Sequence, residues 1–306
     1  MAANTSQRTG AEMKLTQILN QNRFSLSFEV FPPKTSTSYE SVKKATEEIA
    51  ALHPAFVSVT YGAGGGTSQY TLQIARNIKE SLGVPSLAHL TCVSSTKETV
   101  RQRIADMKAA GIENVMALRG DLTPELAASG DRSTWAYHHA VELVRQLKAE
   151  ADFCVGGACY PEVHPESANQ VEDIKYLKEK VDAGCDFLTT QMVFDNNLFY
   201  SFLYKIREAG ITVPVMPGIM PITNAKQVER AIKLSGSFIP HRFKSLVDRF
   251  GDNPDTMKQA GIVYATDQII DLYANGIKNV HVYSMNKPDV AAKIMDNLSS
   301  ILGKSL

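Results

Sequence analysis

The chain repeats one pattern: a short apolar run, a turn, and a polar segment with apolar residues three and four positions apart. The short runs have the length and β-branched content of strands, and the longer segments have the period of helices that bury one face. Val42, Ala45 and Ile49 show the helical spacing. The eight apolar runs are SLSFEVF from Ser25, AFVSVTY from Ala55, SLAHLTC from Ser86, ENVMALRG from Glu113, FCVGGACY from Phe153, DFLTTQMVF from Asp186, VPVMPGI from Val213 and NVHVYSM from Asn279.

Helices are predicted between these runs. Several of the segments end in an Ala-Gly step, such as Ala110-Gly111, which is typical of a left-handed helix end. Between the seventh and eighth runs the pattern predicts about three helices instead of one, which indicates an insertion and not a second domain. The predicted helices cover residues 39–52, 70–82, 97–110, 139–149 and 171–183, and in the insertion residues 224–234, 240–250 and 255–273.

The alternation of strands and helices predicts a fold of the α/β class. Most of the runs are nearly unbroken apolar stretches, as expected for parallel strands that are buried on both faces. Eight right-handed βαβ units close into a barrel. We therefore predict a single (β/α)8 TIM barrel over residues 23–306, with extra helices between strands 7 and 8, after an N-terminal extension, residues 1–22, that is partly helical or mobile.

A doubly wound dinucleotide-binding sheet is the competing fold. It would place a GxGxxG turn after the first strand, but the first run leads into FPPKTS. The glycine cluster at residues 62–66 follows the second run and lacks that spacing, and the sequence holds no GxxxxGK[ST] P-loop.

Composition excludes several classes of partner. Lys plus Arg equals Asp plus Glu at 32 each, so no net field attracts nucleic acid. The start of the chain has no signal-peptide core and no stretch is apolar enough to span a membrane, so we expect a cytoplasmic protein that contacts neither nucleic acid nor membrane. Four cysteines without a CxxC pair are expected to be buried thiols: Cys92, Cys154, Cys159 and Cys185.

Candidate chemistry is sought where each apolar run ends, because a β/α barrel builds its site at the carboxyl ends of its strands. Polar side chains occur at most of these positions. They are Glu29, Thr60, His89, Arg119-Gly120-Asp121, Tyr160 with Glu162 and His164, Gln191, and Tyr283.

Glu29 stands between Phe28 and Val30, and desolvation there would favour its neutral form and let it donate a proton. An outward-facing or salt-bridged carboxylate is an equally weighted alternative. Arg119 and Asp121 flank a glycine, so they either hold a ligand or pair with each other.

The histidines divide into two cases. His89, alone in an apolar run, is predicted to be a satisfied core residue in preference to a ligand-binding one, whereas two prolines fix the loop of His164 and favour binding there. The sequence has no HxH, HExxH or CxxC spacing that places two ligands on one element, so we expect no metal.

Nine stretches in order resemble the bacterial methylenetetrahydrofolate reductases. The resemblance implies an FAD-dependent β/α barrel of one-carbon metabolism and methionine biosynthesis. It implies reduction of 5,10-methylenetetrahydrofolate to 5-methyltetrahydrofolate by a ping-pong mechanism, with NADH or NADPH as donor, in a homo-oligomer. The stretches are SFEVFPPKT from Ser27, FVSVTYGAGG from Phe56, AHLTC from Ala88, ALRGD from Ala117, YPEVHPE from Tyr160, KVDAG from Lys180, TTQMVFD from Thr189, PGIMPI from Pro217 and VYSMN from Val282.

The same resemblance implies residue roles. Glu29 is the general acid and Asp121 the carboxylate near flavin and pterin. Flavin contacts are implied for Thr60, Tyr61, Ala63, His89, Arg119, Gly120, Asp121, Ala140, Tyr160, His164, Asp173 and Lys180, and folate contacts for Glu29, Asp121, Gln191, Gln227, Tyr283 and Lys287.

Three positions depart from the family pattern. Lys287 stands where relatives have arginine, Ala231 where a relative has a phenylalanine that stacks on its substrates, and His139 where relatives have tyrosine. Two other functions stay open: a barrel subunit that takes electrons from a protein donor in a larger complex, and a non-flavin metal-dependent aldolase or pterin methyltransferase. The combination of Glu29, Asp121 and Gln191 favours the reductase.

Overall fold

The computed structural model of the chain describes residues 13–33, 38–61, 68–122, 128, 132 and 135–303. Within these residues, eight parallel strands form a closed barrel in chain order, with β1 paired to both β2 and β8. Each predicted apolar run contains one strand, so the predicted TIM barrel is confirmed. The strands are β1 Ser25–Val30, β2 Val57–Val59, β3 Ser86–Thr91, β4 Asn114–Leu118, β5 Cys154–Cys159, β6 Phe187–Met192, β7 Val215–Ile219 and β8 Asn279–Tyr283.

Helices surround the barrel and follow the predicted segments closely. In the fully described stretch between β7 and β8, three helices replace one, as the pattern predicted. The helices are α1 Leu15–Leu19, α2 Tyr39–Ala50, α3 Ser68–Glu80, α4 Lys97–Ala109, α5 Ala140–Glu150, α6 Gln170–Asp182, α7 Asn196–Glu208, α8 Lys226–Ser235, α9 His241–Phe250, α10 Pro254–Ala274, α11 Pro288–Asn297 and α12 Ser299–Leu302.

The amino-terminal end of the barrel is filled by apolar side chains. This floor consists of Phe56, Leu87, Met116, Cys154, Phe187 and Met216, packed with Leu15, Ile18 and Leu19 of α1.

Two asparagines at the first positions of their strands hold α1 in place. The Leu15 backbone N–H donates to Oδ1 of Asn114 at 2.8 Å, and Nδ2 of Asn279 donates to the Leu19 carbonyl at 2.9 Å. Helix α1 therefore closes the floor from below. The domain boundary at residue 22 stays a prediction.

Above the floor the interior becomes polar. Ser58 of β2 contacts His281 of β8 at 3.1 Å although β1 lies between these strands, so both side chains point into the barrel. Ser27 of β1 lies 2.7 Å from the same histidine, His89 of β3 comes within 3.7 Å of Glu29 of β1, and the side chains of Ser27, Ser58, His89 and His281 are all buried. We call Ser27, Ser58, His89 and His281 the polar layer. Branched aliphatic side chains usually fill this part of such a barrel.

The insertion packs closely on the loop after β7. A methyl group at Gly261 of α10 would lie 1.7 Å from the Ile222 carbonyl oxygen, so α10 can approach this backbone only because residue 261 has no side chain. The rings of Phe243 and Tyr264 pack 4.6 Å apart beneath it.

The four cysteines all lie in the described part of the chain, where they are buried and none forms a disulfide. None of the described helices is long and apolar enough to cross a membrane.

Candidate functional site

Glu29 lies on the inner face of the barrel, one residue before β1 ends. Its Oε2 is 3.7 Å from Nε2 of His89 and 3.9 Å from Nε2 of His281, and its side chain is 21% exposed. Its sequence neighbours Phe28 and Val30 pack outward against the helices. The expected desolvation by these two neighbours is therefore wrong, because alternate residues of a strand face opposite sides. Glu29 is neither outward-facing nor ion-paired with a lysine or arginine among the described residues.

His89 is a core histidine whose Nε2 has no hydrogen-bond partner in the described part of the chain. Burial lowers its pKa to about 4, against a smaller opposing effect of Glu29. His89 is therefore neutral at neutral pH. The expected satisfied core histidine is thus only half correct, since one ring nitrogen has no hydrogen-bond partner among the described residues.

Tyr283 crosses the mouth of the barrel from β8 to β6. Its hydroxyl donates to the Thr190 carbonyl at 2.6 Å, and burial, with a further contribution from Glu29, raises its pKa well above the ordinary value. A methyl group at Gly218 of β7 would lie 2.5 Å from the Tyr283 ring, so glycine is needed there. Gln191, the last residue but one of β6, follows Thr190, and its Oε1 accepts from the Met192 N–H at 3.0 Å.

Arg119 follows β4 and is held by an acidic residue from the next loop. Its Nη1 lies 2.6 Å from Oε2 of Glu166. The hydrogen bond raises the pKa of Arg119 and lowers that of Glu166. The alternative of an Arg119–Asp121 pair is thus wrong, because Glu166 takes the guanidinium and Asp121 is exposed.

Gly120 places the backbone of this loop against the end of β3. Its φ is +94°, and a methyl group would lie 2.8 Å from Cγ1 of Val93. The Val93 N–H also donates to the Arg119 carbonyl at 2.7 Å. These contacts fix Arg119-Gly120-Asp121 at the rim of the barrel.

The loop after β5 forms a second polar group next to Arg119. The rings of Tyr160 and His164 meet edge to face at 4.6 Å. The His164 N–H donates to Oδ2 of Asp173 at 3.1 Å. Burial raises the pKa of Tyr160 and lowers that of His164. Lys180 lies behind β5, where its ammonium donates to the Ala158 carbonyl.

Glu162, another candidate in the same loop, accepts from the Phe238 N–H at 3.2 Å, and burial raises its pKa. It therefore ties this loop to the insertion.

The remaining candidates lie around β2 and α5. The Thr60 N–H donates to the Val30 carbonyl at 2.9 Å, and the Tyr61 ring lies 5.1 Å from the Arg103 guanidinium carbon. Ala140 is the first residue of α5, behind the cap residue His139. Ala63 lies outside the described residues.

Lys287 and Gln227 meet through Thr223 on the β7–β8 side of the mouth. Lys287 Nζ donates to the Thr223 hydroxyl at 2.6 Å, and the Thr223 N–H donates to Oε1 of Gln227 at 2.7 Å. Burial lowers the pKa of Lys287. Ala231 of α8 is buried within the insertion, where its side chain offers no stacking surface.

Sequence reasoning missed five residues of this site. Ser27, Ser58 and His281 contact one another next to Glu29, Glu166 holds Arg119, and Thr223 joins Lys287 to Gln227. A signal for the first group was present: Ser25, Ser27 and Glu29 alternate with apolar residues in β1, as Asn279, His281 and Tyr283 do in β8.

Chemically, the mouth combines a carboxyl group with cations on two sides. Glu29 can exchange a proton with a ligand in the barrel, while Arg119 and Lys287 can oppose anionic groups on either side. The described residues contain no group of three His, Cys, Asp or Glu side chains arranged to hold a metal ion.

Comparison with known proteins gives consistent matches. A family model described as methylenetetrahydrofolate reductase matches residues 14–299. The chain is 36% identical to the 5,10-methylenetetrahydrofolate reductase of Escherichia coli (strain K12), over 96% of each chain. It is 34% identical to the enzyme of the same name from Pectobacterium carotovorum subsp. carotovorum, over 96% of this chain and 95% of that protein.

Two other similarities are more limited. The methylenetetrahydrofolate reductase (NADH) 1 of Zea mays is 34% identical over 94% of this chain, which spans only 50% of that longer protein. A Clostridium thermocellum protein, solved with two copies of 5-methyl-5,6,7,8-tetrahydrofolic acid, superposes with a TM-score of 0.69 over 94% of this chain and 100% of that chain. At 15% identity this second similarity shows a shared fold alone.

Proposed function

Because this chain belongs to the methylenetetrahydrofolate reductase family, we propose that it reduces 5,10-methylenetetrahydrofolate to 5-methyltetrahydrofolate with FAD as its cofactor and Glu29 as general acid. The observation that carries the proposal is the position of the Glu29 carboxylate inside the barrel mouth, 3.7 Å and 3.9 Å from two buried histidines. A carboxyl group in this place can deliver a proton to a substrate that enters from the rim.

The described residues fit a flavin. Nε2 of His89 and Oγ1 of Thr189 are buried polar atoms without a hydrogen-bond partner in this part of the chain, which a polar ring system would satisfy. Arg119 supplies a cation at the rim. When bound, FAD supplies the hydride. The residues that would hold it are Thr60, Tyr61, Ala63, His89, Arg119, Gly120, Asp121, Ala140, Tyr160, His164, Asp173 and Lys180.

The reaction adds one hydride and one proton to the methylene group and its nitrogen. The proton passes from Glu29 to the ring nitrogen that leaves as the C–N bond of the methylene bridge breaks, and the carbon accepts the hydride. Asp121, whose charge acts on both Arg119 and Tyr160, orients the pterin from the opposite side of the mouth.

Folate carries a glutamate tail with negative charge. Lys287 opposes that charge from the β8 side, and Thr223 and Gln227 fix the lysine in place. Gln191 and Tyr283, near the carboxyl ends of β6 and β8, contact the pterin within the barrel mouth.

NADH or NADPH is the proposed donor in a ping-pong mechanism, because the donor and the folate would use the same barrel mouth in turn. The maize relative carries NADH in its name. The protein is proposed to act as a cytoplasmic homo-oligomer.

The purified protein tests the proposal directly. We expect absorbance near about 450 nm from oxidised flavin, anaerobic bleaching by NADH or NADPH, and recovery of colour on addition of methylenetetrahydrofolate. A flavin that neither nucleotide bleaches, but that methylenetetrahydrofolate reoxidises after chemical reduction, would favour a protein donor. A colourless, FAD-refractory protein would overturn the proposal and return attention to aldolase or methyltransferase chemistry.

A further inference from the structure

The polar layer fixes which nitrogen of His281 carries a proton. We propose that Ser27 holds His281 as the Nδ1–H tautomer, and that this keeps an N–H donor away from the Glu29 carboxylate so that Glu29 remains an acid. Ser27 and His281 are then positioning residues of the reaction. The inference rests on the proposed function, which makes Glu29 the proton donor.

Ser27 determines the tautomer through its single proton. Its hydroxyl donates to the Val280 carbonyl at 3.2 Å and lies 2.7 Å from Nδ1 of His281. Since a hydroxyl has one proton to give, the short contact to Nδ1 needs a proton on the imidazole side. Nδ1–H therefore donates to Ser27.

The other ring nitrogen, Nε2, then carries no proton, because a neutral imidazole has only one N–H. Nε2 of His281 accepts from the Ser58 hydroxyl at 3.1 Å, and the same atom lies 3.9 Å from Oε2 of Glu29. This separation is too long for a hydrogen bond, but the positive end of an N–H dipole at this position would favour ionised Glu29 electrostatically, whereas a lone pair does not.

The other groups that face Glu29 do not replace the missing donor. From β3, His89 is neutral at neutral pH, so it places no positive charge beside the carboxylate, 3.7 Å away. From β8, the Tyr283 hydroxyl donates to the Thr190 carbonyl. From β2, the hydroxyl of Ser58 is engaged with His281.

The His281 ring has no freedom to turn over and exchange its nitrogens. It is 2% exposed. The Phe56 ring stacks on it at 5.7 Å with an interplanar angle of 11°, and the Tyr283 ring meets it edge to face at 5.6 Å. The tautomer is thus set by Ser27 and not by rotation.

The composition of the polar layer supports a functional role. Buried hydroxyls and imidazoles lose hydration that aliphatic side chains would not lose, and most barrels of this kind fill the same level with Val, Ile or Leu. The Ser27–His281–Ser58 chain satisfies both ring nitrogens. It places that satisfied ring beside the carboxyl group on which the proposed reaction depends.

The first test compares Ser27→Ala with Ser27→Thr. The rate of folate reduction by pre-reduced enzyme should fall as pH rises through the pKa of the acid. Ser27→Ala frees Nδ1, lets the proton move to Nε2, and should shift that fall down by about one pH unit, which is tenfold in rate at higher pH. Ser27→Thr keeps the hydroxyl and should retain the wild-type profile, and flavin reduction by the nicotinamide donor should be unchanged in both variants.

A second pair of variants tests the donor itself, in case Ser27→Ala fails to fold. His281→Gln brings an amide N–H to the same place and should shift the profile down, whereas His281→Leu brings no donor and should not. A profile that stays in place in Ser27→Ala or His281→Gln overturns the inference, as does an equal downward shift in His281→Leu.

A direct measurement does not depend on activity. The chain has seven histidines, and ¹⁵N-labelled histidine spectra report the tautomer of each one, with the His281 signals identified by their loss in His281→Gln. We expect a protonated Nδ1 in the wild type, and a protonated Nε2 overturns the inference. If the tautomer is as expected and the wild type does not reduce the folate, the proposed function fails instead.

Discussion

The carboxylate of Glu29 and the imidazole of His89 face each other inside the barrel, with 3.7 Å between Oε2 and Nε2. The two residues come from β1 and β3, so the contact crosses the interior over β2. Because burial keeps His89 neutral, the contact is not an ion pair at neutral pH. His89 therefore adds no positive charge next to the carboxyl group of Glu29.

Glu29→Gln should separate the two half-reactions. The amide has the shape of the acid but no proton to give, so folate reduction should fall by about 100- to 10,000-fold. Flavin binding and its reduction by NADH or NADPH should continue. Stopped-flow absorbance of the flavin measures both steps on one sample.

Asp121→Asn is the matched control, because it also removes one carboxylate from the rim. We expect it to slow both half-reactions, each less than Glu29→Gln slows folate reduction. Equal loss of both half-reactions in Glu29→Gln would remove the acid role from this residue.

His89 should make the protein without FAD less stable in acid. An unfolded histidine takes up a proton near its ordinary pKa of 6.5, whereas burial lowers the folded pKa to about 4. The contribution of neutral His89 to the free energy of unfolding is therefore fully present above the unfolded pKa of 6.5, and it is lost as pH falls from there towards the folded pKa of about 4. The loss from about pH 7 to about pH 5 should be on the order of 2 kcal/mol.

Urea unfolding at both pH values measures this loss. In His89→Gln the dependence on pH should be flatter by that amount, while the exposed His138→Gln should retain the wild-type slope. Identical slopes in His89→Gln and wild type would show that His89 does not titrate in this way.

Lys287→Met should weaken folate binding with little effect on flavin reduction. The substitution removes the cation that Thr223 positions at 2.6 Å, so KM for the folate should rise about tenfold. Lys287→Arg keeps the charge and can hold a carboxylate with two parallel N–H bonds, so KM should stay at the wild-type value or fall below it. Steady-state kinetics with each variant decide, and an unchanged KM in Lys287→Met would place the folate tail elsewhere.

Gly261→Ala should destabilise the insertion strongly. The added methyl group would meet the Ile222 carbonyl oxygen at 1.7 Å, and backbone on both sides prevents a small adjustment. We expect a loss of about 3 kcal/mol, measured by denaturant unfolding. Ala260→Gly, one position away on the same helix, should cost only about 1 kcal/mol, and a similar cost for both would contradict the close approach.

The fold followed from the sequence because the pattern is regular. Each apolar run became one strand, and the three amphipathic segments between the seventh and eighth runs became α8, α9 and α10. The role of α1 could not be predicted from the local sequence, because the residues that hold it, Asn114 and Asn279, are far away in the chain.

The site was only partly predictable. Strand ends identified Glu29, Arg119 and Tyr283, since the barrel brings all strand ends to one rim. The surroundings of Glu29 were misjudged from its neighbours Phe28 and Val30, which face the opposite side of β1. Contacts such as Arg119–Glu166 join different loops, and the local sequence does not encode the distance between them.

The two asparagines that form hydrogen bonds with the backbone of α1 constrain the order of folding. Asn114 is 99 residues from Leu15, and Asn279 is 260 residues from Leu19. Helix α1 thus has no complete docking surface until the eighth strand has been synthesised and has joined the first. Nascent chains should carry α1 unattached until β8 has been synthesised, and its attachment should report that the barrel has closed.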